Sequence, residues 1–339
     1  MKVLTKMRTD EARIFLDAFR NQRARDFVRK MKISNYSSSI LEHHPRKGNP
    51  GNEHVLRKCS LLINTIFEQI EAVQESPGEL FPLLNKLSRK NPVQDEIWFP
   101  EFDEAYANYK HNRKLNNRYR QLKPYLYGKS YCDVGCGGGD LVAFLKKNHA
   151  HFNMCEGIDV LDWRTDEIKD EINFQMLDFS RPGTRSRFRY DTVTCLAVLH
   201  HVGNTDDELS VFLQNVGTAI SRDGRLIVEE DVILPGYQVN ENPVVRKQVE
   251  RLSKKQPLFA EFVNFSENDQ RDITIIIDII SNALCGGLPQ MAFPFGFRSL
   301  NQWAAIFSGN NYRIADIEVF GYADGVFNRS GHVLFILEP

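Results

Sequence analysis

The sequence predicts an α/β protein built on a doubly wound, mostly parallel sheet of seven strands. From residue 129 onward, short apolar runs alternate with amphipathic stretches, and a glycine-rich loop joins the first run to the first such stretch. Strand–helix alternation of this kind places helices on both faces of a parallel sheet. Only a short polar segment separates the last two runs, so these two strands are expected to pair antiparallel. The predicted strands are 130–134, 154–160, 174–177, 192–198, 225–232, 313–320 and 332–337.

The remainder of the chain shows the apolar spacing of amphipathic helices. Residues 1–98 are predicted to form a helical N-terminal region, and residues 99–127 a connecting helix. Residues 128–339 form the α/β domain, with a helical insertion at about 236–297 before the last two strands. A stretch rich in Ser, His, Pro and Gly, residues 37–52, predicts an exposed loop between two N-terminal helices.

Composition narrows the classes of function. The formal net charge of -1 disfavours a protein that binds nucleic acid through bulk electrostatics. The 6 cysteines are scattered without a CxxC pair, as expected for reduced thiols in a cytoplasmic protein. The first residues lack the apolar run of a signal peptide, and the isoleucine-rich stretch 273–280 is too short to span a bilayer. A cytoplasmic protein with no membrane partner is therefore expected.

The glycine-rich loop predicts a nucleoside-binding site. The first predicted strand ends at Asp133, and Gly135 and Gly137 allow a sharp turn and a close approach of ligand to backbone. Asp159 ends the next strand, where an acidic residue meets ribose hydroxyls in open parallel sheets. A dinucleotide fingerprint needs a third glycine where Asp140 stands, and Asp133 would repel a pyrophosphate. A ligand with positive charge, such as a sulfonium, fits this loop better.

With these motifs the sequence resembles the class I S-adenosylmethionine (SAM)-dependent methyltransferases, in particular the branch that modifies small molecules. The resemblance covers about residues 128–235 and 295–339 and implies their Rossmann-like fold, with an antiparallel seventh strand. The matching stretches are 133–139, 157–160, 176–179, 191–202 and 221–229.

The resemblance implies SAM as the cofactor and S-adenosylhomocysteine (SAH) as the product. The glycine loop would contact the methionine part of SAM, Asp159 the ribose, and Val160 one face of the adenine. Asp178 would accept from the adenine amino group beside the Phe179 backbone amide. The implied cofactor residues are Asp133, Gly135, Gly137, Asp159, Val160, Asp178, Phe179 and Leu196, the last near the reacting methyl.

Two groups are candidates for chemistry on the acceptor. His200 and His201 follow the fourth strand at the carboxyl edge of the sheet, where a general base could remove an acceptor proton. The alternative is that both imidazoles only pack at the rim of the pocket. Alternation along the fifth strand sends Glu229 and Asp231 to one face and Glu230 to the other, to orient an acceptor or cap a helix. Because His, Asp and Glu are dispersed along the sequence, no metal site is predicted.

The helical parts admit several roles. In the family that the chain resembles, a basic side chain before the glycine loop often holds the SAM carboxylate, here Arg113 or Arg118; a solvated helix face is the alternative. The aromatic segment 291–297 would cover an apolar or ring-shaped acceptor, or pack the insertion onto the core. The basic N-terminal helices suit substrate capping, a homodimer contact or, in a rival interpretation, docking of RNA.

The sequence thus predicts an enzyme that transfers a methyl group from SAM to a small-molecule acceptor, with oxygen preferred, by in-line displacement. A methyltransferase for RNA or protein is one alternative, although nucleic acid is not the expected partner. A SAM-binding protein without catalytic activity is the other, because fold alone does not fix function.

Overall fold

A computed structural model describes residues 7–43, 52–91, 97–110, 114–287, 291–322 and 331–339 of the chain. The strands are β1 (Ser130–Val134), β2 (Met154–Asp159), β3 (Asn173–Met176), β4 (Tyr190–Leu196), β5 (Ile220–Ile233), β6 (Arg298–Ser299), β7 (Arg313–Gly321) and β8 (His332–Glu338). The N-terminal and connecting helices are α1 (Thr9–Arg20), α2 (Gln22–His43), α3 (Asn52–Ala72), α4 (Pro77–Leu87), α5 (Pro100–Tyr109) and α6 (Leu115–Leu122). The helices within and after the sheet are α7 (Asp140–Asn148), α8 (Asp166–Lys169), α9 (Leu199–Val202), α10 (Asp206–Gly217), α11 (Gly236–Glu241), α12 (Pro243–Ser253), α13 (Pro257–Val263), α14 (Glu267–Asp278) and α15 (Leu300–Gly309).

The central sheet has the strand order β3-β2-β1-β4-β5-β8-β7. Strands β1 to β5 pair in parallel, and β8 lies antiparallel between β5 and β7. The predicted doubly wound α/β fold and its closing antiparallel hairpin are confirmed. The two-residue β6, which pairs with the end of β5, was not predicted, because two residues carry no alternation.

Strand β5 is longer than its apolar run. Residues 221–224 have the composition of a turn, yet they lie inside the strand. The ladder between β4 and β5 shifts register between Tyr190 and Thr192, which accommodates these polar residues at the strand's start. Most of β5 is buried through to its carboxyl end, as expected for a strand with neighbours on both sides.

The predicted loop at 37–52 is wrong over its first part, because α2 continues to His43. The Ser37 hydroxyl donates to the Ile33 carbonyl at 2.7 Å, so the helix itself supplies a hydrogen-bond partner for this polar side chain. Tyr36 and Ile40 stand one turn apart and are fully buried. Helical spacing of two large side chains outweighed the polar composition; residues 44–51 lie outside the described ranges.

The N-terminal helices pack directly onto the insertion, so the two predicted helical regions share one hydrophobic core. The Phe27 ring of α2 meets Phe265 with centroids 5.1 Å apart. The Asn21 amide donates to Asp269 and Asp272 of α14 at 2.9 and 2.7 Å. The side-chain oxygen of Gln270, on α14, accepts from the backbone N–H of Leu234 at 2.7 Å. Leu234 directly follows the last residue of β5. We call α1, α2 and α14 the helical cap; it covers the end of β5.

The predicted connecting helix is occupied by α5 and α6, and residues 111–113, including the candidate Arg113, lie outside the described residues. After Asp278, α14 continues as a π-helix over Ile279–Cys285. Among the described helices, none combines the length and the apolar character needed to cross a membrane.

Candidate active site

The glycine loop leaves β1 at the carboxyl edge of the sheet and is tied to the end of β2. The N–H of Gly135 donates to the Ile158 carbonyl at 2.8 Å, and that of Gly137 to Oδ2 of Asp159 at 2.8 Å. Gly135 has a φ of 76°, and a Cβ there would lie 2.4 Å from Cγ2 of Val198. Glycine is therefore required where the loop passes the chain that follows β4.

Asp133 lies buried beneath this loop. The Thr194 hydroxyl on β4 donates to its Oδ1 at 2.7 Å. Burial raises the pKa of the Asp133 carboxyl to about 7, although the Thr194 hydrogen bond and the charge of Arg118 act in the opposite direction. A cation placed beside Asp133 would favour its ionised form, as the sequence argument for a positively charged ligand requires.

Asp159 ends β2 with both carboxylate oxygens in use. Oδ2 accepts from Gly137, and Oδ1 accepts from the N–H of Leu161 at 3.2 Å. Burial raises the pKa of Asp159 despite these backbone donors. Beside it Val160 and Trp163 are each 40% exposed, which leaves apolar side chains facing outward where an adenine face is predicted.

Asp178 and Phe179, predicted to meet the adenine edge, follow β3. The Asp178 carboxylate organises a local turn, since it accepts from the Ser180 N–H at 3.1 Å and pairs with Arg181 at 2.9 Å. The Phe179 side chain is buried in the core, and its carbonyl accepts from Asn215 at 2.8 Å. Its side chain is therefore turned away from any ligand, and a predicted contact there falls to the backbone.

Arg118, on α6, reaches the same edge of the sheet. Its guanidinium pairs with the buried carboxylate of Glu229 at 2.5 Å, and its positive charge also acts on Asp133. Leu196, at the end of β4, pairs in register with Glu229 and is buried. The basic group that the family resemblance assigns to the SAM carboxylate thus acts on Asp133, but in this structure it pairs with a protein carboxylate.

The three acidic residues of β5 alternate between the two faces, as predicted. Glu229 binds Arg118, and both Glu229 and Asp231 approach Nδ1 of His332, at 3.6 and 3.2 Å. Glu230 points the other way, to His200. The strand therefore separates a carboxylate that faces Arg118 and His332 from one that faces the histidine pair.

Glu230 fixes His200 in position. One carboxylate oxygen accepts the N–H groups of Val198 and Leu199 at 2.9 and 2.6 Å, at the start of α9. The other lies 2.5 Å from Nδ1 of His200. Burial alone lowers the pKa of His200, but the Glu230 charge and hydrogen bond raise it to about 9. Burial and the neighbouring His200 lower the pKa of His201 well below its ordinary value.

Asp278, the last residue of α14, completes the cluster. Its Oδ1 lies 4.0 Å from Nε2 of His200 and 3.9 Å from Nε2 of His201. Burial raises the pKa of Asp278 to about 6, against the effect of His200. Sequence reasoning missed it; the one signal was a carboxylate inside the isoleucine-rich stretch. The expected dispersal of metal-binding side chains does not hold in the fold, since these three offer ligand atoms within 4.8 Å of one another.

Aromatic rings and a buried lysine surround the cluster. Phe297 stacks on His200 with centroids 4.8 Å apart, and the Phe293 edge meets His201 at 5.6 Å. Lys32 of α2 is fully buried, with Nζ 2.5 Å from the Ser281 hydroxyl. Its place in the basic N-terminal segment gave no sign of this inward position. The helical cap therefore supplies polar groups to the site as well as cover.

A family model described as a methyltransferase domain matches residues 106–255, which include the glycine loop, both β-strand carboxylates and the histidine pair. Within residues 106–255 the chain therefore carries a SAM-dependent methyltransferase domain. The predicted family and its cofactor, SAM, are thereby confirmed.

Named relatives are similar over a part of the chain. A ubiquinone biosynthesis O-methyltransferase of Aeromonas salmonicida is 29% identical over 122 residues, which cover 35% of this chain and 46% of the relative. Another of the same description, from Coxiella burnetii, is 36% identical over 89 residues, covering 25% and 38%. The chain therefore spans less than half the length of these curated relatives.

Solved structures are similar at low sequence identity. Mitomycin 7-O-methyltransferase MmcR is 15% identical, with a TM-score of 0.43 over 89% of this chain and 74% of that one. DhpI in complex with SAH is 12% identical, with a TM-score of 0.40 over 76% and 94%.

Proposed function

We propose that this methyltransferase domain transfers the methyl group of SAM to an oxygen of a small-molecule acceptor bound beneath the helical cap. The observation that carries the proposal is the direct contact between two half-sites. Val198 packs against the glycine loop at Gly135, and two residues further along the chain His200 enters the buried cluster. Donor and acceptor bound in these half-sites would meet at the end of β4.

In this reaction the protein's main task is alignment. The acceptor oxygen's lone pair forms the new bond to the methyl carbon. The carbon–sulfur bond of SAM breaks, its electron pair stays on sulfur as SAH forms, and the hydroxyl proton passes to solvent through an imidazole of the histidine pair. Asp133 offers negative charge to the cationic donor, while His200 and His201 face the acceptor.

The oxygen and the ring-shaped acceptor are supported by two further observations. The relatives from Aeromonas salmonicida and Coxiella burnetii are named as O-methyltransferases of ubiquinone biosynthesis. Phe293 and Phe297 put aromatic faces against the histidine pair, which suits an acceptor with an apolar ring.

The basic side chains of the N-terminal helices favour a small acceptor over RNA. Arg23 pairs with Asp269, Arg25 with Glu71, and Lys30 with Glu261, so these cations are neutralised within the protein. RNA binding that weakens steeply with salt would favour the alternative. A homodimer through the helical regions and a cytoplasmic location stay predictions from the sequence.

Calorimetric titration with SAM and SAH tests the cofactor half-site. Asp159→Ala removes a buried acceptor and is expected to weaken SAM binding by about 1–3 kcal/mol. Asp162→Ala is the matched control, because it removes a nearby carboxylate that pairs with Arg164 at the surface. If the unmodified protein binds neither ligand, or if both variants weaken it equally, the proposed cofactor site is wrong.

The acceptor is then sought by incubating the protein and SAM with phenols, catechols and aliphatic alcohols. Mass spectrometry reads the added methyl group, and SAH formation gives an independent count of turnovers. Transfer to amines or to RNA in place of every hydroxyl compound would contradict the oxygen assignment.

A further inference from the structure

We propose that His200, His201 and Asp278 bind a divalent transition-metal ion that holds the acceptor oxygen. The geometry of the cluster supports the metal site by itself. Its role toward an acceptor rests on the proposed methyl transfer.

Both imidazoles are oriented as metal ligands. Nδ1 of His200 lies 2.5 Å from a Glu230 carboxylate oxygen, and Nδ1 of His201 lies 2.9 Å from the Ala292 carbonyl. Each partner accepts hydrogen bonds, so each Nδ1 carries its proton toward the protein. That arrangement directs both Nε2 atoms, the ones that would bind an ion, toward Asp278 in the cluster. Metal-binding histidines are usually held in this way, with the second ring nitrogen donating to a carboxylate or carbonyl.

The third ligand and the spacing fit the same interpretation. Asp278 is anchored by Asn282, whose amide donates to Oδ1 at 2.6 Å. Among the described residues, neither Oδ2 of Asp278 nor Nε2 of His200 has a hydrogen-bond partner, although both atoms are buried. Leaving such buried groups unpaired is unfavourable, so a partner for both atoms is expected at this place. The distances of 3.9 and 4.0 Å from Oδ1 to the two Nε2 atoms are too long for hydrogen bonds. In a tetrahedral site with bonds of about 2.0–2.2 Å the ligand atoms lie about 3.3–3.6 Å apart, so small side-chain movements would bring the three groups onto one ion.

The chemistry of the ligands selects the class of ion. Two imidazoles and one carboxylate suit Zn²⁺ or Fe²⁺, whereas Mg²⁺ and Ca²⁺ prefer oxygen ligands throughout. Glu230 and Asp231 add buried negative charge beside the three ligands. Asp278 also stands where α14 becomes a π-helix, a distortion that is frequent at functional sites.

Three protein ligands leave a coordination position open for the acceptor. A hydroxyl oxygen bound there has its pKa lowered by the cation, so its proton leaves to solvent at neutral pH. The resulting oxyanion keeps the lone pair that attacks the methyl carbon of SAM. The metal's oxidation state does not change in this step, and no further reactant is needed.

The test uses the full chain after dialysis against a chelator. Calorimetry with Zn²⁺ is expected to show one ion per chain, and Co²⁺ is expected to give the visible absorption bands of a nitrogen–oxygen site. His201→Gln and Asp278→Asn, two conservative changes, should each weaken Zn²⁺ binding by more than about 100-fold, beyond what loss of a supporting hydrogen bond costs. Far-UV circular dichroism and SAM titration check that both variants are folded.

The matched control is His151→Gln. His149 and His151 form another pair of imidazoles, with centroids 5.7 Å apart. They lie between α7 and the start of β2, and not at the carboxyl ends of the strands. The control should bind Zn²⁺ as the unmodified protein does. Loss of Zn²⁺ binding in His151→Gln, unchanged binding in the two site variants, or no binding by the unmodified protein would overturn the metal site.

SAM titration of the same sample separates this proposal from the proposed function. If the protein binds SAM but does not bind Zn²⁺, the proposed metal site is wrong and the proposed methyl transfer is unaffected. If the protein binds Zn²⁺ but does not bind SAM, the metal site is supported and the proposed methyl donor is wrong.

Discussion

At the residue scale, the ionisation of Asp133 makes the proposed cofactor site sensitive to pH. Its carboxyl is buried against Thr194, with Arg118, Asp159 and Glu229 acting on it electrostatically, and its pKa lies at about 7 in the folded protein. An unfolded chain would ionise this group near pH 4. The folded protein therefore gains stability from Asp133 at low pH and loses that contribution as the pH rises through about 7.

Binding of SAM should be linked to this ionisation. Because the sulfonium favours the charged carboxylate, SAM binding at pH 6 is expected to release a proton, and affinity should rise with pH through 7. Calorimetry in two buffers of different ionisation enthalpy measures the proton directly. Asp133→Asn is expected to bind SAM more weakly and without proton release; an unchanged release would assign the proton to another group.

At the scale of elements, the glycine loop depends on its contact with the chain after β4. Gly135 and Gly183 both have positive φ, at 76° and 80°, so alanine at either should cost about 1–2 kcal/mol in backbone strain. A Cβ at Gly183 meets nothing within 4 Å, whereas one at Gly135 lies 2.4 Å from Val198.

Gly135→Ala should therefore lower the free energy of unfolding more than Gly183→Ala does, and it alone should weaken SAM binding. Urea denaturation and SAM titration of the two variants measure both effects. Gly135→Ala combined with Val198→Ala should recover part of the lost stability. Equal behaviour of the two single variants would show that the close contact is unimportant.

The same scale separates what the sequence predicts from what it does not. The loop at Gly135 and the carboxylates at the strand ends are local: a strand, a turn and a helix in succession place them. Asp278 reaches the histidines, and Lys32 reaches Ser281 beside it, through the packing of α14 and α2 over β5, which no local pattern encodes. The polar composition of residues 37–43 likewise misled, because burial against other helices decided their conformation.

At the scale of the whole molecule, the helical cap and the sheet are expected to unfold together. Phe27 packs against Phe265 and Tyr322, so Phe27→Ala should lower the free energy of unfolding by about 3–5 kcal/mol. Phe188→Ala, at a residue that is 43% exposed, is the control and should change little.

Trp98, near the cap, and Trp303, in α15, allow both regions to be followed by fluorescence in single-tryptophan variants. The two denaturation curves should coincide with each other and with circular dichroism. Separate transitions would mean that residues 1–98, the helical N-terminal region predicted from the sequence, fold independently of the sheet.

Because side chains alternate along β5, the strand has two chemically different sides: one faces Arg118 and the other faces the histidine pair. Glu229 contributes its charge on one side and Glu230 on the other, so a slip of one residue would exchange them. The ladders with β4 and β8 hold the strand against such a slip. The identity of each side is thus decided by backbone hydrogen bonds to β4 and β8, and a single-residue insertion ahead of Glu229 would turn Glu229 and Glu230 to the opposite faces without changing either residue.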